Sequence, residues 1–297
     1  MQFIRDIFAA KRAARRPVIS FEFFPTKTDD GERTLMDKTI PALCQLKPDF
    51  CSVTYGAGGG TREKTLGIVA RIQNDHRLTT MAHLTCVNAT AQQTREVLAQ
   101  ARALGIQNIL ALRGDPPGGT GEFEKTDGGF EYSYELVQLL RELGGFSIGV
   151  AGFPEGHIAC REGKLVDWQR LKHKIDCGAD FVITQLFFDN ADFYEFRDHL
   201  TRLGVTVPIV PGIIPIGSAA QIKKFTALCG AKLPVPLLAD LEKFSTDDAA
   251  CAEFGIEYAT RQCQDLFKNG APGVHFYTLN KAAATSAIVR NLGLAQA

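Results

Sequence analysis

No apolar run in this chain approaches the ~18 residues that span a bilayer. The first residues lack the apolar stretch and small-residue cleavage site of a secretory signal, so a cytoplasmic protein is expected. Charge of one sign is also missing. The 33 basic and 33 acidic residues among 297 cancel, which leaves no field to hold nucleic acid or a membrane surface. The eight cysteines, at 44, 51, 86, 160, 177, 229, 251 and 263, form no CxxC pair. They read as reduced core thiols, not as disulfide staples or a zinc site. Linkers and low-complexity tracts are absent, and a single domain over 1–297 is expected.

What the chain does have is alternation. Eight short β-rich runs recur: Val18–Phe24, Phe50–Tyr55, Thr80–Thr85, Asn108–Leu112, Ser147–Phe153, Phe181–Gln185, Val207–Val210 and Val274–Thr278. Most are nearly continuous in apolar residues, as parallel strands covered on both faces are. Helical patterns separate them. Thr90 and Gln93 make a capping box ahead of Val97, Leu98, Ala101 and Leu104, with Gly105 at the end. Leu136, Leu139, Leu140 and Leu143 form a second stripe, and Phe193, Phe196, Leu200 and Leu203 a third. Pro41 falls inside the pattern after the first strand and must interrupt that helix. Residues 1–16 predict a short amphipathic helix packed on the body, with a transit peptide as the other reading. An extra helix is expected from about Asp247, between strands seven and eight. With 45% apolar and 22% charged residues, eight βα units favour a closed (β/α)8 TIM barrel, an α/β fold, over a doubly wound open sheet.

In such a barrel the chemistry gathers where strands end. Glu22 stands among Phe21, Phe23 and Phe24; desolvation there should raise its pKa and make it a proton donor, unless it pairs with a buried arginine. Strand two leads into Gly56–Ala57–Gly58–Gly59–Gly60, where the dinucleotide fingerprint fails because Thr61 occupies the third glycine position. That loop suits close approach of a flat ligand. His83 is a ligand contact or a hydrogen-bonded core residue; with only Cys86 nearby, a metal is not expected. Arg113–Gly114–Asp115–Pro116–Pro117 is a stiff loop offering a carboxylate for cationic charge beside an arginine for phosphate. Asp167, Arg170 and Lys174 share a helix face, either solvated or, with His157, gripping a diphosphate and a ribose. Gln185 closes an apolar strand and needs partners, from a pterin or flavin edge or from backbone.

Taken together these stretches resemble the methylenetetrahydrofolate reductase family. The matching pieces are Phe21–Glu22–Phe23–Phe24–Pro25, Ser52–Val53–Thr54–Tyr55–Gly56–Ala57, His83–Leu84–Thr85–Cys86, Leu112–Arg113–Gly114–Asp115, Phe153–Pro154–Glu155 with His157, Ile183–Thr184–Gln185 with Phe187–Phe188–Asp189, Pro211–Gly212–Ile213 with Pro215, and Phe276–Tyr277–Thr278–Leu279–Asn280. They occur in the family's order across nearly the whole chain, and its length resembles the bacterial form without a regulatory domain.

The resemblance implies FAD across the strand ends, with NADH or NADPH and the folate visiting one flavin face in turn, hence ping-pong kinetics. It implies Glu22 as general acid and Asp115 as the carboxylate beside the flavin. Thr54, Tyr55, Ala57, His83, Arg113, Gly114, Asp115, Ser133, Phe153, His157, Asp167, Arg170, His173 and Lys174 are implied as FAD contacts. Glu22, Gln185 and Lys281 are implied on the folate side. A homo-oligomer is implied too. Four positions depart: Ala219 where a substrate-contacting phenylalanine is known, Lys281 for arginine, Phe153 for tyrosine and His173 for arginine. Two rival classes remain, a flavin-free barrel of the pterin-binding methyltransferase type and a non-catalytic scaffold.

Overall fold

A computed structural model describes residues 1–55, 62–116 and 123–295. Eight parallel strands close on themselves in chain order. They are β1 (Val18–Phe23), β2 (Phe50–Val53), β3 (Thr80–Thr85), β4 (Asn108–Leu112), β5 (Ser147–Gly152), β6 (Phe181–Leu186), β7 (Ile209–Ile213) and β8 (Gly273–Tyr277). Helices fill the crossovers: α2 (Asp29–Thr34) and α3 (Ile40–Cys44), α4 (Arg62–His76), α5 (Ala91–Ala103), α6 (Ser133–Leu143), α7 (Lys164–Asp176) and α8 (Asn190–Arg202). The expected (β/α)8 barrel is the observed fold. Among the described residues no helix is long and apolar enough to cross a membrane.

β7 is displaced from its expected span. Val207 and Pro208 precede it, and Pro211 lies inside it. Proline has no N–H to give the ladder. The β6–β7 register accordingly shifts between Ile183 and Leu186, and Gly212 N–H donates instead to Thr184 Oγ1 at 2.9 Å. A side chain at position 212 would collide with the Thr184 carbonyl and with the Tyr277 ring, 2.6 Å away.

Alternation along each strand separates two cores. Phe21, Phe23, Val53 and Phe276 face outward against the helices. Val18, Phe50, Met81, Leu110, Phe181, Ile183 and Val210 fill the lower interior of the ring. The N-terminal helix α1 (Ile4–Ala13) completes this inner core. It does not lie on the side of the body; it plugs the amino-terminal end of the barrel. Its Phe8 ring stands 6.2 Å from Phe50 and 5.5 Å from Phe181. Asn108 at the foot of β4 holds it there, accepting from Ile4 N–H at 2.8 Å and donating to the Gln2 carbonyl at 3.1 Å. Burial of Phe8 alone is worth ~2–3 kcal/mol. With the bottom sealed by hydrocarbon, polar side chains can line only the upper layers.

Pro41 breaks its helix as expected: a single π turn over Leu35–Thr39 precedes it before the α-helix resumes at Ile40. The excursion between β7 and β8 carries three helices, α9 (Ala219–Cys229), α10 (Val235–Lys243) and α11 (Asp248–Lys268). The helix capped by Asp247 is α11, and it is not the extra one. It packs between α8 and α12 (Ala282–Asn291), which makes it the barrel's own seventh helix. The additions are α9 and α10, whose Ala219, Ile222, Leu237 and Leu241 form a separate core with Leu186, Phe188 and Ile216. The capping box at Thr90 is present. Leu203 ends its stripe 37% exposed, past the last helical turn. All eight cysteines are free, and four of them, Cys44, Cys160, Cys177 and Cys229, are only half-buried, so the core reading holds for Cys51, Cys86, Cys251 and Cys263.

Candidate active site

The upper interior begins with three strands in lateral register. Ser20 pairs with Phe50 and His275, and Glu22 with Ser52 and Tyr277. Since side chains alternate, Ser20, Glu22, Ser52, His275 and Tyr277 all enter the ring at neighbouring heights. His83 enters from β3.

These residues form one buried cluster. Glu22 Oε2 lies 3.3 Å from His83 Nε2, 3.4 Å from His275 Nε2 and 3.5 Å from the Ser52 hydroxyl, which donates to it. The far nitrogen of His275, Nδ1, meets Ser20 Oγ at 2.8 Å. His83 Nε2 is near enough to act through its charge, but it is not aimed at the oxygen and makes no hydrogen bond.

The expectation of a raised Glu22 pKa is overturned. Burial does push the carboxyl upward, and it is the largest single influence. The electrostatic attraction of His83, together with the hydrogen bond and attraction of His275, exceeds it and brings the pKa down to about 2. Phe21 and Phe23, which suggested an apolar surround, face the helices and not the carboxylate. Glu22 pairs with imidazoles, not with an arginine. Proton occupancy therefore belongs to the cluster, not to Glu22 alone.

Tyr277 roofs the cluster. Its ring meets His275 edge-on at 5.6 Å, and its hydroxyl donates to the Thr184 carbonyl at 2.5 Å. Burial raises the Tyr277 pKa well above its ordinary value, so it stays a donor. Neither Tyr277, Ser52, Ser20 nor His275 had stood out in the sequence as a site residue. His275 between Val274 and Phe276 reads as core; only closure of the ring sets it opposite Glu22.

A second group lies at the ends of β4 and β5. Asp115 is exposed just beyond β4 and acts electrostatically on His157 after β5. Gly114 takes φ +88 against Thr85 and Val87, where a Cβ would meet Val87 at 2.9 Å. Arg113 packs over the Phe123 ring at 5.0 Å. His157 stands edge-on to Phe153 at 4.5 Å, its N–H donates to Asp167 at 3.1 Å, and its Nδ1 accepts from Ala159 N–H at 3.0 Å. Burial lowers the His157 pKa, so the ring is neutral with its proton on Nε2, free to donate. Burial raises the Asp167 pKa.

Lys174 turns inward from α7 and donates to the Ala151 carbonyl at 2.9 Å. Burial brings its pKa down to about 8, with Asp167 opposing. Among the described residues it has no acidic partner within ion-pair distance. Arg170 lies on the same helix face, but its guanidinium pairs with Glu162 in the preceding loop. His173 is exposed and meets the Tyr134 ring at 4.9 Å, while Ser133 opens α6 between the stacked rings of Tyr132 and Tyr134.

The remaining expected residues scatter. Thr54 continues β2, donating its N–H to the Phe23 carbonyl at 2.9 Å. Tyr55 is buried in the outer core. Ala57 and the glycines beside it lie outside the described residues, as do 117–122. Gln185 Oε1 accepts from its neighbour Leu186 N–H at 2.9 Å, and its side-chain N–H groups take no partner among the described residues. Lys281 is exposed at the start of α12. Ala219 is buried at the first turn of α9.

The chemistry of this donor set suits an anionic, hydrogen-bonding cofactor. Among the described residues, Lys174 has no acidic group within ion-pair distance, Asp167 acting on it only from further off, and the buried Thr85 hydroxyl has no partner. Both conditions are costly unless something fills them. No group of three or more His, Cys, Asp or Glu among the described residues is placed to hold a metal.

A closed parallel barrel that gathers a buried carboxylate–imidazole cluster, Lys174 and Arg113 towards the carboxyl ends of its strands has the architecture of the (β/α)8-barrel enzymes. Residues 7–293 match the family described as methylenetetrahydrofolate reductase, and the chain belongs to that family. It is 41% identical over 285 residues to "Methylenetetrahydrofolate reductase (NADH) 1" of Arabidopsis thaliana, covering 93% of this chain and 48% of that one. It is 38% identical over 276 residues to "5,10-methylenetetrahydrofolate reductase" of Escherichia coli (strain K12), covering 93% and 90%. The chain thus spans about half the length of the plant relatives and most of the bacterial ones.

Among solved structures, an uncharacterized protein from Clostridium thermocellum that binds two copies of 5-methyl-5,6,7,8-tetrahydrofolic acid superposes with TM-score 0.63 at 16% identity, covering 96% of this chain and 97% of that one. A dihydropteroate synthase from Xanthomonas albilineans gives TM-score 0.50 at 16% identity, covering 93% and 91%. At that identity both speak for the fold alone.

Proposed function

We propose that this chain, as one catalytic domain, reduces 5,10-methylenetetrahydrofolate to 5-methyltetrahydrofolate with NADH or NADPH, using FAD. The observation that carries the reading is Glu22, buried between two imidazoles at the same mouth as Lys174, which has no acid within ion-pair distance among the described residues. FAD, when bound, carries the hydride from the nicotinamide to the folate. Lys174 and Arg113 would hold its diphosphate, and Asp167 and the Nε2 proton of His157 its polar linker. Thr54, His83, Gly114, Asp115, Ser133, Phe153, Arg170 and His173 fall to the same cofactor by family resemblance. The free N–H groups of Gln185 suit the pterin edge, and Lys281 the folate tail.

The chain's own acid–base work follows from the cluster. Opening the five-membered ring of the substrate requires a proton at a ring nitrogen and leaves a cationic iminium. A carboxyl whose pKa is about 2 is ionised at neutral pH, so Glu22 acts by relaying a proton that reaches it through the buried cluster it forms with Ser52, His83 and His275. Asp115, exposed at the mouth, supplies negative charge for the iminium. Family resemblance also supports a cytoplasmic homo-oligomer, which light scattering on the purified protein tests.

The purified protein should be yellow, with an oxidised-flavin absorption spectrum. A colourless preparation that cannot be loaded with FAD would favour the flavin-free pterin-binding rival. Asp115→Asn should raise the reduction potential of the bound flavin by removing a nearby negative charge; an unmoved potential removes Asp115 from that role.

Lys174 gives a pH dependence with a definite sign. Its pKa without cofactor is about 8, so the ammonium is charged below that value and lost above it. FAD affinity should fall above pH 8, by up to about tenfold per unit. Lys174→Met should bind FAD more weakly at pH 7 and show no such decline. Titration of the apoprotein with FAD between pH 6 and 9.5 measures both, and parallel profiles would refute the assignment.

A further inference from the structure

Pairing between β1 and β8 does not stop where the backbone ladder ends. The last backbone rung sets Glu22 beside Tyr277. Beyond it the Thr278 hydroxyl donates to the Glu22 carbonyl at 2.6 Å. Further on, the side-chain amide of Asn280 makes a double contact with Phe24. Its Oδ1 accepts from Phe24 N–H at 2.9 Å, and its Nδ2 donates to the Phe24 carbonyl at 2.8 Å. A primary amide offers the same donor and acceptor as a strand peptide, so Asn280 acts as one more rung.

This rung needs an unusual backbone. Leu279 and Asn280 adopt φ of 51° and 56°, two consecutive non-glycine residues in the left-handed region. Asparagine visits that region readily; leucine does not. Surrounding contacts hold the pair in place. Asn280 N–H donates to Thr278 Oγ1 at 3.2 Å, the Thr39 hydroxyl donates to the Asn280 carbonyl at 3.3 Å, and Leu279 packs against the core under α9. The chain leaving β1 is thereby pinned at two alternate residues, Glu22 and Phe24. Nothing else described binds Phe24 N–H, and the carboxylate of Glu22 hangs from this same stretch.

We propose that Asn280 is a positioning residue for Glu22: its amide fixes the exit of β1 and so aims the Glu22 carboxylate between His275 and His83. The inference rests on the reading of Glu22 as proton carrier, yet it can fail separately. Asn280→Gly keeps the left-handed turn and removes the amide. Asn280→Ala removes both advantages, and Asn280→Asp keeps the acceptor for Phe24 N–H.

In the flavin-loaded enzyme, Gly and Ala variants should oxidise NADH with a quinone acceptor at rates within about twofold of wild type. Their kcat for folate reduction should fall about 10–100-fold, as misplacement of a reacting group by about 1 Å does, with KM for folate little changed. Asn280→Asp should recover part of the loss. Infrared titration of the Glu22 carboxyl, identified by its absence in Glu22→Gln, should show its pKa move upward in the Gly variant as the imidazoles are lost. A Gly variant with wild-type folate turnover and an unmoved carboxyl would overturn the proposal, leaving Asn280 a turn residue. Equal loss of both half-reactions would overturn it too, as general loosening of the mouth. Failure of the parent reading looks different: Glu22→Gln would then reduce folate at the wild-type rate, or lose both half-reactions to the same degree, whatever the Asn280 variants do.

Discussion

Glu22→Gln should lose folate reduction by about 10²–10⁴-fold while NADH oxidation by a quinone continues. Glutamine fills the same space and can keep hydrogen bonds to Ser52 and His275, so the packing of the cluster survives. What it cannot do is accept a proton from an imidazole and release it to substrate. Hydride arrival from the nicotinamide needs no such proton transfer and should be spared. Stopped-flow measurement of the two half-reactions separates them, and loss of both to the same degree would remove Glu22 from the acid–base role.

His275→Leu should cost on the order of 3 kcal/mol of stability at pH 7, and much less in acid. Removing His275 takes a hydrogen-bond partner from a buried carboxylate and leaves its charge stranded, typically at ~3–5 kcal/mol. The downward shift of Glu22 from an ordinary 4.5 to about 2 corresponds to a similar amount, about 3 kcal/mol, since each unit is worth ~1.4 kcal/mol. The folded pKa lies below the unfolded one. The wild-type contribution is therefore complete above about pH 4.5 and disappears as pH falls toward 2.

In the variant, burial without His275 raises the carboxyl pKa, so the deficit should shrink once the pH drops below that new value. Urea melts from pH 4 to 8 give the profile. The double variant Glu22→Gln/His275→Leu should recover most of the loss at pH 7, because no charge is left stranded. A deficit independent of pH, with no recovery in the double variant, would mean that His275 matters only for its volume.

The course of the chain was largely legible because both faces of each strand are covered, which writes continuous apolar runs into the sequence. β7 was misjudged because Pro211–Gly212 has the composition of a turn; pairing with β6 and β8, helped by the Thr184 hydroxyl, makes it a strand. The helix from Asp247 was visible by its cap, but its status as a barrel helix depends on packing between α8 and α12, which no local pattern records.

The site was half legible. Glu22 could be singled out as a carboxylate in an apolar strand, yet the sign of its pKa could not. Sequence displays the neighbours along the strand, Phe21 and Phe23, and these point away. The groups that matter come from other strands, His275 from the adjoining β8, 253 residues further along the chain, and His83 from β3, two strands away. Arg170 shows the converse: helical spacing grouped it with Asp167 and Lys174, and an acidic residue in the preceding loop, Glu162, took it instead.

The seal of α1 against Phe50 and Phe181 has a consequence for synthesis on the ribosome. The plug leaves the exit tunnel long before β8 (Gly273–Tyr277), the staple that joins the two edges of the sheet. Until then β1 has an open edge and the inner layer has no completed wall. A nascent chain therefore carries its greasy first helix without a finished seat for most of translation, and arrest before β8 should yield a chaperone-bound, protease-sensitive species rather than a smaller folded one.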